Sequence, residues 1–143
     1  MFRANPLIAR LAIAKSLGFL YGLIWLLVLP ADLPEVGPYL PWGALLWFTT
    51  MGGIIGMVGL FDRHPLWPAW RLTWWLRGPA MGGAMGLALV LVNYQAMAAI
   101  GGAMMAGPFQ SPWWLIAETA LIGAAIDFLS TRAGGEGRAL RET

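Results

Sequence analysis

The sequence predicts an all-α integral membrane protein that crosses the membrane four times. Of its 143 residues, 59% are hydrophobic and only 11% are charged, whereas soluble domains carry about 25% charged residues. Four apolar segments each approach the ~20 residues that a helix needs to cross ~30 Å of hydrocarbon. The chain also holds 19 glycines and nine tryptophans, which membrane proteins use at close helix contacts and at the headgroup level.

Proline and charged residues mark the four segments. The first begins beside Pro6, a residue favoured in the first helical turn, and stops before Pro30. The second and third contain no charged residue, and the fourth, WWLIAETALIGAAIDFL, contains Glu118 and Asp127. The predicted helices cover residues 7–29, 42–61, 79–105 and 112–129.

The basic residues predict the orientation of the chain. Every Lys and Arg lies near the N-terminus, in the loop between the second and third helices, or in the C-terminal tail. By the positive-inside rule these parts are cytoplasmic, so both termini are expected inside the cell. Residues 1–132 form one transmembrane domain, and the Gly-rich residues 133–143 form a flexible cytoplasmic tail. A cleaved signal is the alternative for the first segment, although no A-x-A-like site precedes Asp32.

Composition indicates the source and the membrane. The chain is rich in Ala, Gly and Arg and has a single Lys, which favours a GC-rich bacterium and hence the inner (plasma) membrane. The second loop also carries Trp67, Trp70 and Trp74 at i, i+3 and i+7. This spacing predicts a short amphipathic segment that lies in the headgroup plane between helices two and three.

Small residues predict how the helices pack. The second helix contains a pair of glycines four residues apart, Gly52 and Gly56, and the third helix contains another, Gly82 and Gly86. Such pairs let two helix backbones approach closely. If the second and third helices pack antiparallel through these glycines, Thr49 and Asn93 meet at a similar depth. We expect an interhelical hydrogen bond there, with a ligand-binding role as the alternative.

The two acids of the fourth helix receive different interpretations. Asp127 lies about as deep as Lys15, roughly 22 Å along its own helix, and a charge within a membrane is normally paired. We therefore predict a structural ion pair between Lys15 and Asp127, with Arg132 near the interface as the alternative partner. The nine residues that separate Glu118 from Asp127 turn the two carboxylates to opposite sides of the helix.

Glu118 is the residue without an evident counter-ion. No Lys or Arg lies at its depth in any predicted helix, and its available partners are the neutral side chains Tyr21, Thr49, Thr50, Asn93 and Gln95. An intramembrane acid is a functional hypothesis by default. We therefore take Glu118, with Asn93, Thr49 or Tyr21, as a candidate proton or cation site. A neutral acid that is hydrogen-bonded between helices, or one that reaches the outer headgroups, is the structural alternative.

The residue inventory limits the possible chemistry. The chain has no Cys, its single His64 has no second ligand spaced for a metal, and no catalytic or phosphate-binding motif is present. We therefore expect no enzymatic activity, no metal and no cofactor. The expected partners are the lipid bilayer and either other membrane protein subunits or further copies of this chain, and no nucleic acid.

Two functional classes remain. The sequence narrowly favours an accessory, assembly or scaffold subunit of an inner-membrane complex, because most polar residues have adequate structural partners and no charged pathway crosses the membrane. The alternative is a small, oligomeric proton- or cation-coupled transporter or channel that uses Glu118.

Overall fold

The computed structural model describes residues 5–30, 32–61, 63, 64, 69, 71–137 and 140. This part of the chain is all-helical, and its one β-type contact is an isolated bridge between Arg63 and Arg71. The helices are α1 (Pro6–Val28), α2 (Leu40–Val58), α3 (Trp74–Val92), α4 (Tyr94–Met104) and α5 (Trp114–Gly134), with a 3-10 helix at Gly107–Gln110. Of these, α1, α2, α3 and α5 are long and apolar enough to cross a membrane. The predicted all-α class with four membrane-spanning helices is confirmed.

The third predicted helix was wrong in its bounds. The helix α3 begins at Trp74, so that Pro79 lies inside it, and it ends at Val92. At Asn93 the backbone leaves the helical region, with φ −126° and ψ 40°, and the chain continues as the separate helix α4. One straight helix over 79–105 would be ~40 Å long, which exceeds the ~30 Å of the hydrocarbon core.

Glycine contacts organise the bundle into two antiparallel pairs. The helix α1 packs along α2, α3 packs along α5, and α1 also contacts α5 to join the pairs. In the first pair Gly18 lies against Gly52, and a Cβ on either residue would collide with the backbone of the other helix. In the second pair Gly82 lies against Gly123 in the same way.

The predicted packing of the second helix on the third through their glycines was therefore wrong. Gly52 and Gly56 face Ala14 and Leu11 of α1, whereas Gly82 and Gly86 face Thr119 of α5. The glycine pair of α2 thus meets the face of α1 that carries a G-x-x-x-G motif, Gly18 and Gly22, whereas the pair of α3 meets Thr119 and Gly123 of α5. The partner helices supply other small residues at these contacts, which allow the same close approach.

The predicted meeting of Thr49 and Asn93 fails with that packing. The Thr49 hydroxyl donates a hydrogen bond to the Leu45 carbonyl oxygen of its own helix at 2.6 Å. Asn93 lies at the break between α3 and α4. Among the described residues no hydrogen bond joins the two side chains.

The C-terminal end of α5 is longer than predicted. It runs past residue 129 to Gly134, and the following Gly135 has a positive φ of 80°. Beyond the helix, the Gly137 amide donates to the Gly59 carbonyl oxygen at 3.0 Å and Leu140 is buried. The mobility of residues 133–143 stays a prediction. Trp67 and Trp70 lie outside the described residues, and Trp74 is the first residue of α3.

Candidate functional site

Polar side chains gather at two places in the bundle, near opposite ends. We call Arg10, Arg77, Asp127 and Glu136 the charge cluster, which lies at the end of the bundle where α1 begins and α5 ends. We call the cavity that is lined by Tyr21 and Glu118 the acid cavity. Glu118 and Asp127 are nine residues apart on α5, which separates the two places by ~13 Å along the helix.

Asp127 is the centre of the charge cluster. Its Oδ1 accepts a hydrogen bond from the Arg10 guanidinium, and its Oδ2 accepts one from Arg77 Nε at 2.7 Å. All three side chains are buried. Because Arg10 lies on α1 and Arg77 on α3, one carboxylate on α5 ties both helix pairs together.

The remaining donors of the two arginines are also used. Arg10 donates to the Gly56 carbonyl oxygen at 3.0 Å and to the Thr131 hydroxyl at 2.8 Å. Arg77 donates to Glu136 Oε2 at 3.0 Å, and this second acid is partly exposed. The cluster therefore balances two positive charges with two negative ones. Burial of charges requires such pairing and hydrogen bonding, so this arrangement is sufficiently explained as structural.

The predicted ion pair between Lys15 and Asp127 was wrong. Lys15 is exposed, and five residues separate it from Arg10, which places the two side chains ~140° apart around α1. A signal for Arg10 was present in the sequence, because Arg10, Ala14, Gly18 and Gly22 recur every fourth residue and form the buried face of α1. Arg132, the alternative partner, lies over the Phe128 ring at 5.1 Å from its centroid.

Glu118 has one hydrogen-bond partner in the described part of the chain. Tyr21 Oη, on α1, donates to Glu118 Oε1 at 2.6 Å. No basic side chain among the described residues lies within ion-pair distance of this carboxylate, and its Oε2 accepts no hydrogen bond from them. The carboxylate therefore keeps an acceptor that a further group can use.

The acid cavity has a volume of about 190 Å³ and lies between α1, α4 and α5. Its wall on α4 exists because the chain breaks at Asn93 and α4 packs on the 3-10 helix, where Gly101 lies against Gln110. The lining is apolar and aromatic around the carboxylate. Tyr21 and Trp25 form one aromatic pair, with ring centroids 6.5 Å apart, and Phe109 and Trp114 form another at 4.6 Å.

The structure brings together only part of the predicted polar site. Glu118 and Tyr21 share a hydrogen bond and the cavity, whereas Thr49 and Asn93 are not lining residues of it. Thr49 was misplaced because its helix packs on α1 rather than on α3. The aromatic residues Trp25, Phe109 and Trp114 were not predicted as site residues, because the break at Asn93 that folds α4 towards them was not foreseen.

The acid cavity places a carboxylate where a ligand can bind. Glu118 Oε2 supplies an acceptor beside an apolar volume, and the Tyr21 hydroxyl donates its hydrogen to Glu118 Oε1. Within the described ranges no three Asp, Glu, His or Cys side chains lie close enough to hold a metal ion. Comparison of the chain with models of protein families, with curated proteins and with solved structures gave no match.

Proposed function

We propose that this chain is a small non-enzymatic membrane transporter in which Glu118 is the group that binds a proton or a cation. The single observation that carries the proposal is the position of this carboxylate. It lines a cavity of about 190 Å³ and keeps one oxygen free of protein donors among the described residues. A carboxylate that serves only to join two helices would have no use for an adjoining cavity, whereas a binding group needs one.

The contrast between the two ends of the bundle supports the same proposal. At one end the charge cluster fills the space between α1, α3 and α5 with mutually bonded side chains. At the other end α1, α4 and α5 leave the acid cavity. A transporter needs a site that is accessible from one side while the other side is closed. Since the cavity is confined to one end of a small bundle, we further propose that the functional unit is an oligomer.

Exchange across liposomes tests this function. The purified protein is reconstituted with a pH-sensitive dye inside, and Na⁺, K⁺ or tetramethylammonium salts are added outside. Wild type should exchange protons for at least one of these cations, and Glu118→Gln should reduce the rate to that of empty liposomes. Glu35→Gln is the matched control, because Glu35 is an exposed acid in the first loop. Wild-type rates equal to those of empty liposomes for every cation would refute the proposal.

An accessory or scaffold subunit is the second candidate, and the lipid-facing side of α2 favours it. The five residues of this side recur at i, i+3, i+7, i+10 and i+14, so they lie on one face. Two are glycines, and a Cβ at either would meet nothing within 4 Å. Most other glycines within the described helices lie close to another element of the chain, with Gly102 of α4 as an exception. The face consists of Gly43, Leu46, Thr50, Gly53 and Met57.

Photo-crosslinking separates this candidate from the first. A photoreactive residue at Leu46 probes the α2 face, and one at Leu121 of α5 is the control, since the two side chains are 68% and 69% exposed. An accessory subunit should give an adduct with a different membrane protein at Leu46 only, and Gly53→Leu should abolish it. Adducts with a second copy alone would favour the oligomeric transporter.

For localisation we propose a bacterial inner membrane with both termini in the cytoplasm. Support comes from the positive-inside rule, because the basic Arg63 and Arg71 lie in the second loop and the acidic Glu35 in the first. The chain has no native Cys, so single cysteines report the topology cleanly. In spheroplasts an impermeant maleimide should label Glu35→Cys directly and Arg63→Cys only after permeabilisation. The reverse pattern would contradict the orientation.

A further inference from the structure

The side chains that line the acid cavity point to a class of ligand. We propose that it binds a small organic cation, an ammonium group that carries an apolar substituent. This inference rests on the proposed function and names the substrate class of the same site. Three features carry it: the charge of Glu118, the aromatic side chains around that charge, and the volume of the cavity.

Glu118 supplies the negative charge of the acid cavity. In the described residues its carboxylate has a single donor, the neutral Tyr21 hydroxyl at 2.6 Å, and no positive partner. The bundle can pair a buried acid fully, because Asp127 on the same helix receives two arginines. Glu118 lacks such a partner and faces a cavity. A cation that enters the cavity would supply the missing positive charge and use the free Oε2.

The aromatic lining of the acid cavity favours an ammonium ion over a metal ion. Tyr21 and Trp25 line the cavity from α1, and Phe109 and Trp114 line it from the 3-10 helix and the start of α5. Rings on two sides of an anionic group are the arrangement that recognises ammonium ions, because the negative faces of the rings attract a weakly hydrated cation. A metal ion would instead need several oxygen ligands. The remaining apolar lining, such as Met97, suits a hydrocarbon substituent.

The volume limits the size of the ligand. An apolar cavity of about 150 Å³ holds one benzene molecule, so about 190 Å³ admits one ring with a small ammonium group. The choline headgroup of a lipid shares this chemistry, but its phosphate would bring a negative charge towards Glu118. A free organic cation therefore fits the cavity better than a zwitterionic lipid.

The test uses two probes of nearly the same shape. Benzylammonium carries the charge and can donate a hydrogen bond, and ethylbenzene has a methyl group in place of the ammonium group and is neutral. Binding of each to the full chain in maltoside micelles is measured by titration calorimetry. The loss of a charge-assisted hydrogen-bonded contact typically weakens binding about tenfold or more. We therefore expect Glu118→Gln to weaken binding of the cation at least tenfold and to leave the affinity for the neutral probe unchanged.

Two further variants keep the test decisive. Trp25→Leu should weaken binding of the cation about fivefold, because the substitution removes one cation–π contact. The affinity for the neutral probe should change less. Glu35→Gln, an exposed acid, should change neither affinity. Equal cation affinity for wild type and Glu118→Gln, or no binding of the cation to wild type at millimolar concentration, would overturn the proposal. If a short-chain phosphatidylcholine competes with the cation, the natural ligand is a lipid headgroup. If it does not compete, the natural ligand is a free solute.

The binding experiment and the exchange assay can refute the ligand class and the transport function separately. Proton exchange for Na⁺ or K⁺ without binding of benzylammonium would refute the organic-cation site and keep the transporter. Binding of benzylammonium that depends on Glu118, without any exchange, would keep the site and refute transport.

Discussion

Replacement of Asp127 by Asn should destabilise the bundle strongly. The substitution keeps the size of the side chain but removes the carboxylate that Arg10 and Arg77 share. Arg77 would retain Glu136 at 3.0 Å. Arg10 would retain only neutral acceptors, such as the Gly56 carbonyl oxygen and the Thr131 hydroxyl.

The magnitude follows from the fate of Arg10. Removing one partner of a buried ion pair typically costs 3–5 kcal/mol, because an uncompensated charge stays buried. The cluster lies near one end of the bundle, where a long arginine side chain can reach towards the interface. We therefore expect the lower end of that range, about 3 kcal/mol in the free energy of unfolding. Arg10→Met combined with Asp127→Asn leaves Arg77 with Glu136 in balance, so the double variant should lose less than the sum of the single variants.

The assay is reversible unfolding in mixed micelles of increasing SDS content, followed by circular dichroism. Asp32→Asn is the matched control, since Asp32 is an exposed acid of the first loop and its loss should change stability by less than about 0.5 kcal/mol. The reasoning fails if Asp127→Asn is as stable as the control variant. The account is also contradicted if the double variant loses as much unfolding free energy as the Arg10→Met and Asp127→Asn variants lose together. Additive losses would show that the two side chains do not interact energetically.

Two further predictions concern the glycine contacts and the Tyr21 hydroxyl. Gly82→Leu should cost about 3 kcal/mol or prevent folding, since overpacking a tight contact costs 1–3 kcal/mol or more, whereas Gly102→Leu should have little effect because a Cβ there meets nothing within 4 Å. SDS unfolding of the two variants measures this, and equal stability would contradict the packing. Tyr21→Phe removes the donor to Glu118 Oε1 and should cost about 1.5 kcal/mol, typical of a hydrogen bond to a charged group. A loss below about 0.3 kcal/mol by the same measurement would show that this bond contributes little.

Properties of single segments could be predicted from the sequence. Length and hydropathy give the four spans, because the membrane sets both. The depth argument also placed Tyr21 beside Glu118 as a possible partner, and the structure joins them at 2.6 Å. It succeeded there because both residues lie well inside predicted helices, so that counting residues gives their level.

Properties that depend on helix pairing could not be predicted in the same way. A G-x-x-x-G pair shows that a helix has a close neighbour, but not which one, so Gly52 was assigned to the wrong helix. The ion pair failed for a related reason: depth alone favoured Lys15, whereas the face of α1 selects Arg10. The backbone leaves the helical region at Asn93 between α3 and α4, and hydropathy does not record this break.

The central claim, that the carboxylate of Glu118 binds the exchanged ion, is tested most directly by comparing Glu118→Asp with Glu118→Gln. Both variants are reconstituted into the same liposomes, and proton exchange against external cations is measured per protein molecule. Asp keeps the charge with one methylene fewer, whereas Gln keeps the shape without the charge. We predict measurable exchange for Glu118→Asp and only the rate of empty liposomes for Glu118→Gln. A Glu118→Gln protein as active as wild type would contradict the claim.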